Sequence, residues 1–501
     1  MGIVKKEAFR TMLISYIGVA LGYLNKGILF LLLLEPAQIG LVNLIVSIGT
    51  LIAQLANFGA IFTVWKFFPF FNDPSTKHRG FLPFILLIVS CGILVFTSLY
   101  LVFRDSIQAA YSDKSPWFND YFYWVLPIGI AYVLFIVLES YLRSLYKNVV
   151  AVFAYEIVLR LVTTILLIVF ALKWVSFEYF VIIHSLLYVI PTLILLVYLY
   201  RLSEWNISLS SIQISKRFRK IMFSFSSFYY FNTLGVVLVN SLDIMMIAQL
   251  VGLQETGVYA TVLFLSSAIQ IPYRSLVRVS SPLVSDYWKR REMDKMKELY
   301  QKVSSISLVI GLFMFLLVWL NIDFLFSFLK PEFVSGIWIF LTIMIGRLID
   351  MYFGLNGAIF TTSKKYRYEI IFTAILIGTV YGLNLWFIPI WGAVGAAIST
   401  SIALIVFNFG RLIFVWAIYK IHPFTRNQVV VLFLFLLCIL FGMLVNHYIQ
   451  PRWLHLLIQT ALVGFLFVLP IYLFNLEENS INYVKNGLKF VQQKTLRRKQ
   501  L

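Results

Sequence analysis

The sequence predicts an all-α polytopic membrane protein of about 14 transmembrane helices, in two pseudo-symmetric six-helix lobes plus two C-terminal helices. Three observations predict it: the composition, a succession of long apolar runs, and a sequence offset that recurs. Hydrophobic residues make up 61% of the 501 and charged residues 13%, against roughly half and a quarter in a globular chain. That balance excludes a water-soluble enzyme, a disordered tail protein and a single-anchor receptor with a large ectodomain.

The runs lie at about 10–34, 39–65, 81–103, 118–142, 149–172, 177–200, 221–250, 258–284, 303–329, 334–360, 368–388, 392–419, 429–448 and 454–475. A helical crossing needs about 20 apolar residues and a membrane strand about 9–11, so these lengths specify helices. Pro127, Pro191 and Pro272 fall inside runs, where membrane helices tolerate proline. Lys5, Lys6 and Arg10 before the first run resemble a secretory leader. No small-x-small cleavage site closes it, so an uncleaved first helix is expected. The loop 285–302 mixes Lys289, Arg290, Arg291 and Lys295 with Glu292, Asp294 and Glu298, and is expected to be a short amphipathic helix.

Charge sets the orientation. The net charge is +19, yet the basic residues sit in short segments between apolar runs, which argues against nucleic acid as a partner. With the N-terminus inside, thirty Lys and Arg fall on inside segments and five outside, with six within the membrane. The positive-inside bias therefore places both termini in the cytoplasm. Cys91 and Cys438 lie within apolar runs and read as packed thiols, with no disulfide or metal cluster expected.

The repeat comes from one offset met at two places. Gly40 in Gln38-Ile-Gly-Leu-Val and Gly257 in Glu255-Thr-Gly-Val-Tyr are 217 residues apart, as are Lys147 and Lys364. Parallel repeats are a transporter architecture, with the site between the halves. The expected domains are 1–215 and 216–428 as six-helix lobes, 429–476 as two additional helices, and 477–501 as a basic cytoplasmic tail.

Glu35-Pro-Ala-Gln-Ile-Gly-Leu-Val-Asn-Leu, running on to Trp65-Lys-Phe-Phe-Pro69, resembles the first-hairpin pattern of the polysaccharide-export, Wzx-type oligosaccharide flippase family. Asn240-Ser-Leu-Asp-Ile-Met-Met with Gln254-Glu-Thr-Gly-Val-Tyr, Ser363-Lys-Lys-Tyr-Arg and Gly392-Ala-Val-Gly-Ala-Ala-Ile-Ser are similar to later signatures of that family. The resemblance covers roughly residues 5 to 420. The family belongs to the multidrug/oligosaccharidyl-lipid/polysaccharide superfamily, which also holds the MATE exporters. The resemblance implies two lobes in a V that rock between inward-open and outward-open states. It also implies the cargo: an undecaprenyl-diphosphate-linked oligosaccharide, the repeat unit of an O-antigen, capsule or exopolysaccharide. The implied site is the bacterial plasma membrane, and the implied partners are membrane lipids, a proton or sodium ion and a polysaccharide polymerase. A cation-coupled multidrug exporter and a lipid II flippase are the alternatives.

Charges at bilayer depth are costly and normally face a cavity or a partner. Lys26 and Asp243 are again 217 apart, so equivalent positions carry opposite charges. Either Lys26 meets substrate phosphate and Asp243 a proton or cation, or the two form a salt bridge that seals the lobes. Arg274 and Arg278 are four apart, on one helix face past Pro272. Their guanidiniums suit phosphate oxygens; snorkelling to headgroups is the alternative. Glu156 and Arg160 form an i,i+4 pair that either neutralises itself or serves as ion-coupling acid and substrate-binding base. Arg347 and Asp350 are expected to pair likewise, Glu139 with Arg143 to be interfacial, Arg411 to snorkel, and His184 to be a hydrogen-bonded structural residue. Glu369, at a run's end, carries little information. No phosphate-binding glycine loop is present, no His, Glu or Cys cluster has metal spacing, and the outside loops lack the paired acids of a membrane glycosyltransferase. No enzyme activity and no cofactor are expected.

Overall fold

The structure is a computed structural model that describes residues 2–448, 452–474 and 476; the expected tail 477–501 lies outside the described residues. Among the described residues the chain is helical throughout, without a strand. Helices satisfy their backbone groups internally, the condition for lying in hydrocarbon. The principal helices are α1 (Gly2–Leu24), α2 (Pro36–Ala56), α3 (Ala60–Phe67), α4 (Phe81–Val102), α5 (Val125–Ser144), α6 (Val149–Ala171), α7 (Phe177–Arg201) and α8 (Lys216–Leu250). They continue with α9 (Leu253–Ser266), α10 (Gln270–Arg290), α11 (Met293–Trp319), α12 (Gly336–Phe353), α13 (Asn356–Thr362), α14 (Glu369–Tyr419), α15 (Arg426–Tyr448) and α16 (Arg452–Val463).

Among the described residues, twelve helical segments are long and apolar enough to cross a membrane, and the chain is a multi-pass membrane protein. The difference from the expected 14 has identifiable causes. α14 holds both runs expected at 368–388 and 392–419, joined at Gly392, whose φ of 58° and ψ of −138° turn the chain. A Cβ on Gly395 would lie 2.1 Å from the Phe387 carbonyl oxygen, so the corner closes only with glycine there. The run expected at 258–284 is broken by a 3₁₀ turn, Ser267–Ile269, one turn before Pro272. The run expected at 39–65 is interrupted between α2 and α3 without changing the number of spans, since Pro36–Ala56 alone is long enough to cross. There Phe58 and Gly59 have φ of 45° and 76°, and the Asn57 side chain accepts from Gly59 N at 2.9 Å. The expected amphipathic helix at 285–302 is instead the ends of α10 and α11, joined by a tight turn through Arg291 at φ 60°.

The chain forms two compact units: Met1–Phe264 with Tyr381–Ala396, and Leu265–Val380 with Ala397–Leu501. The core of the first includes Ala53, Val64, Phe68, Val133, Tyr141 and Leu195. In the second, one cluster centres on Tyr300, Leu355 and Phe360, and another packs α15 and α16 on α11 through Leu316, Cys438 and Val463. Cys438 is buried as expected, whereas Cys91 is exposed. Exposed Leu94, Val102, Ile165, Val197, Leu436 and Leu457 make the outer surface apolar, as lipid contact requires and water would not allow. A membrane helix is apolar outside as well as inside, so apolarity does not predict burial for Cys91.

Candidate functional site

The first unit contains a cavity of about 230 Å³ whose walls include α1, α6 and α7. Both α1 and α6 depart from α-geometry beside it. A π turn, Asn25–Leu29, continues α1, and a second, Ala154–Val158, sits inside α6. Such turns insert one extra residue, re-aim the side chains around them and concentrate at functional sites. Here they carry Lys26 and Glu156.

The contact between the two helices rests on small residues. Gly18 and Gly22, one turn apart on α1, leave room for the charged pair of α6. A Cβ at Gly18 would lie 2.7 Å from the Glu156 carboxylate, and one at Gly22 would lie 2.4 Å from Arg160 Nη1. This is the small-xxx-small pattern that lets membrane helices approach. It is readable in the sequence but points to a partner only when α6 is in place. Arg160 pairs with Glu156 at 2.6 Å and also donates from Nη1 to the Gly18 carbonyl oxygen. Asn25 fastens the same junction: its Nδ2 donates to the Arg160 carbonyl at 2.8 Å, and its Oδ1 accepts from Thr164 at 2.7 Å.

Lys26 is the exception. Among the described residues it forms no ion pair; its Nζ donates to Asn43 Oδ1 at 3.4 Å and lines the cavity. Arg160, Thr163, Tyr155, Tyr188 and His184 line it too. His184 is 7% exposed and makes no hydrogen bond among the described residues. It packs between the rings of Phe180, Phe30 and Tyr188. The expectation of a hydrogen-bonded structural histidine is therefore corrected: ring packing holds it, and its polar atoms are left for the cavity. With Arg160 paired to Glu156, Lys26 is the basic side chain of the cavity lining that has no carboxylate partner among the described residues.

Asp243 does not line that cavity. It is buried at 2% exposure and accepts from Tyr259 Oη at 2.5 Å and from Asn384 Nδ2 at 2.8 Å. Tyr259 and Asn384 were not singled out from sequence, since each lies on a different helix from Asp243. Among the described residues no group of three or more His, Cys, Asp or Glu could hold a metal ion.

No protein-family model matches the chain, and no curated protein matches it in sequence. Solved structures do. One described as lipid II flippase MurJ in an inward closed conformation superposes with a TM-score of 0.71 at 14% identity, covering 93% of this chain and 98% of that one. An inward-facing multidrug resistance MATE family transporter of the MOP superfamily gives 0.64 at 14% identity, covering 80% and 94%. A MOP superfamily transporter from Pyrococcus furiosus gives 0.52 at 14%, covering 83% and 96%. The fold is that of the MOP superfamily transporters.

In the second unit, Arg274 and Arg278 are exposed on one face of α10, and Arg274 Nη2 donates to Gln270 Oε1 at 3.1 Å. Arg411 does not snorkel. It is ion-paired with Glu369, with Nε donating to Glu369 Oε2 at 3.2 Å, and stands 4.0 Å over the Phe407 ring. Glu369, uninformative in sequence, is thus a buried counter-ion at 5% exposure. Asp350 accepts from Asn408 Nδ2 at 3.0 Å. Glu139 and Arg143 pair at 2.5 Å, with Arg143 over the Trp65 ring.

Proposed function

We propose that the chain is a flippase that moves an undecaprenyl-diphosphate-linked oligosaccharide from the inner to the outer leaflet of a bacterial plasma membrane. It works by alternating access driven by a proton or sodium gradient, and both its termini are cytoplasmic. The observation that carries this reading is Lys26, a cation with no carboxylate partner facing a cavity within the membrane-spanning helices. A buried unpaired charge is expensive unless an occupant of opposite sign compensates it. A diphosphate does so, and a lipid diphosphate has no other low-cost way across hydrocarbon.

In this reading the six-helix halves 1–215 and 216–428 are the rocking lobes, with 429–476 appended. Lys26 and Arg160 meet the diphosphate. Exposed Arg274 and Arg278 give it forked donors as it enters from the inner leaflet. Asp243, held by Tyr259 and Asn384, takes the coupling ion, and Glu156 is released as a second acid when Arg160 turns to substrate. A polysaccharide polymerase receives the product. Lipid II, also a lipid diphosphate, is the second reading, supported by the likeness to the MurJ structure. A cationic-drug exporter would need an excess of acids, whereas this cavity carries an excess of base.

Flipping in proteoliposomes tests the proposal, with wild type set against Lys26→Ala and Arg274→Ala and with matched lipid-linked oligosaccharide, lipid II and organic-cation cargoes. Flipping of lipid-linked oligosaccharide that is lost in the variants supports it. Movement of organic cations alone, indifferent to both substitutions, overturns it.

A further inference from the structure

We infer that His184 touches the cargo: a ring N–H of its imidazole donates to the diphosphate of the lipid-linked sugar inside the cavity of the first unit, and that cavity takes the diphosphate alone, leaving the sugars outside it. The inference deepens the flippase reading and rests on its diphosphate cargo. Other polar side chains of the lining are already engaged. Asn25 bonds the Arg160 carbonyl and Thr164, Thr163 Oγ1 donates to the Leu159 carbonyl at 2.8 Å, and Arg160 is paired with Glu156. His184 is not engaged. It lines the cavity at 7% exposure and makes no hydrogen bond among the described residues. Buried polar groups are normally hydrogen-bonded, so an orphan facing open space points to an occupant.

Packing explains why the ring stays there. Phe180 stacks on it, with 6.0 Å between centroids and 23° between planes, while Phe30 and Tyr188 meet it edge-on. These contacts hold the ring and use neither nitrogen as a donor. The rest of the lining decides what the nitrogens meet. It holds Lys26 and Arg160 as cations and, among the described residues, no carboxylate. A neutral imidazole has one N–H and one acceptor nitrogen, whereas ammonium and guanidinium groups only donate. Donors therefore dominate, and an occupant rich in acceptor oxygens satisfies them where a cation would not. Size then divides the cargo. The cavity is about 230 Å³, below the roughly 300–1,000 Å³ that encloses a drug-sized ligand. It has room for a head-group anion and none for an oligosaccharide. Leu159 and Phe264 add apolar wall, which suits an anion carried on a prenyl chain better than the free anion.

Calorimetric titration of the purified full chain with geranyl diphosphate tests this. Geraniol, which lacks the anion, should not bind, and inorganic pyrophosphate should bind more weakly. His184→Phe keeps a ring for Phe180 to stack on but has no N–H. It should weaken binding about tenfold or more, the loss of one hydrogen bond to a charged group. His184→Gln restores a donor and should recover most of that loss. A merely structural histidine gives the opposite order, with Phe tolerated and Gln not, and that order overturns the inference. So does pyrophosphate that binds as tightly as geranyl diphosphate. Wild type supplies a second readout. The sequence has five histidines, so isotope-labelled histidine gives a spectrum simple enough to follow. One signal, the one missing in His184→Gln, should move on adding geranyl diphosphate and move alike with the lipid-linked oligosaccharide. If none of the five moves, the inference is overturned whether or not the variants fold. If wild type binds geranyl diphosphate through His184 yet flips no lipid-linked sugar, the proposed function fails and the anion site stands. If it flips the sugar and His184→Phe binds as wild type does, the inference fails alone.

Discussion

Charge compensation, residue by residue, separates two arginines that have carboxylate partners from Lys26, which has none among the described residues. Arg160 and Arg411 each have a carboxylate, Glu156 and Glu369; Lys26 has a side-chain amide at 3.4 Å. Lys26→Met keeps the side chain's length and removes its charge. A hydrogen bond to a charged group contributes about 1.5–3 kcal/mol, so flipping should fall roughly ten- to a hundredfold with no loss of thermal stability. A drop in melting temperature of the same order as in a core variant would show Lys26 to be structural. Glu369→Gln should behave oppositely. It leaves the Arg411 guanidinium buried without its counter-ion, at a cost of about 3–5 kcal/mol. Denaturation of the purified protein measures this, and adding Arg411→Met should recover most of the loss. An unchanged denaturation midpoint in the single variant would refute the assignment.

Helices interrupted at the residues that matter are the theme at the level of elements. The π turns of α1 and α6 carry Lys26 and Glu156, the α2–α3 break places a non-glycine residue, Phe58, at φ 45°, and α14 reverses at Gly392. α1 and α6 meet through Gly18 and Gly22, where the Glu156–Arg160 pair occupies the space a side chain would fill. Gly22→Ala should therefore push Arg160 off its place and destabilise by about 1–3 kcal/mol, the usual cost of overpacking. Gly382→Ala, with open space around its Cβ, should be neutral or slightly stabilising because it lowers the entropy of the unfolded chain. Thermal melts of the two variants side by side decide it; equal midpoints would mean that the α1–α6 contact yields freely.

For the whole molecule the outstanding quantity is orientation, which the thirty-to-five distribution of Lys and Arg predicts. In right-side-out membrane vesicles, a cysteine at Lys77 should resist an impermeant maleimide until the membrane is opened. A cysteine at Trp117, which is 48% exposed, should label at once. The reverse pattern would invert the proposed direction of transport.

How much was legible in the sequence follows from the range of each interaction. Hydropathy and run length are properties of consecutive residues, so an all-α, multi-pass membrane protein follows from local pattern alone. Intrahelical neighbours were also within reach: Glu156 with Arg160 and Glu139 with Arg143 are four apart, one helical turn. Asp350 also accepts from Asn408 on α14, a partner that spacing within one helix does not reveal. Which charges are compensated, and which face open space, depends on contacts between distant helices. Glu369 reaches Arg411 across 42 residues, Asn384 reaches Asp243 across 141, and Arg160 reaches Gly18 across 142. At bilayer depth the free energy of a charge depends on whether a counter-charge lies within a few ångströms. Helices brought together from distant parts of the chain set that distance.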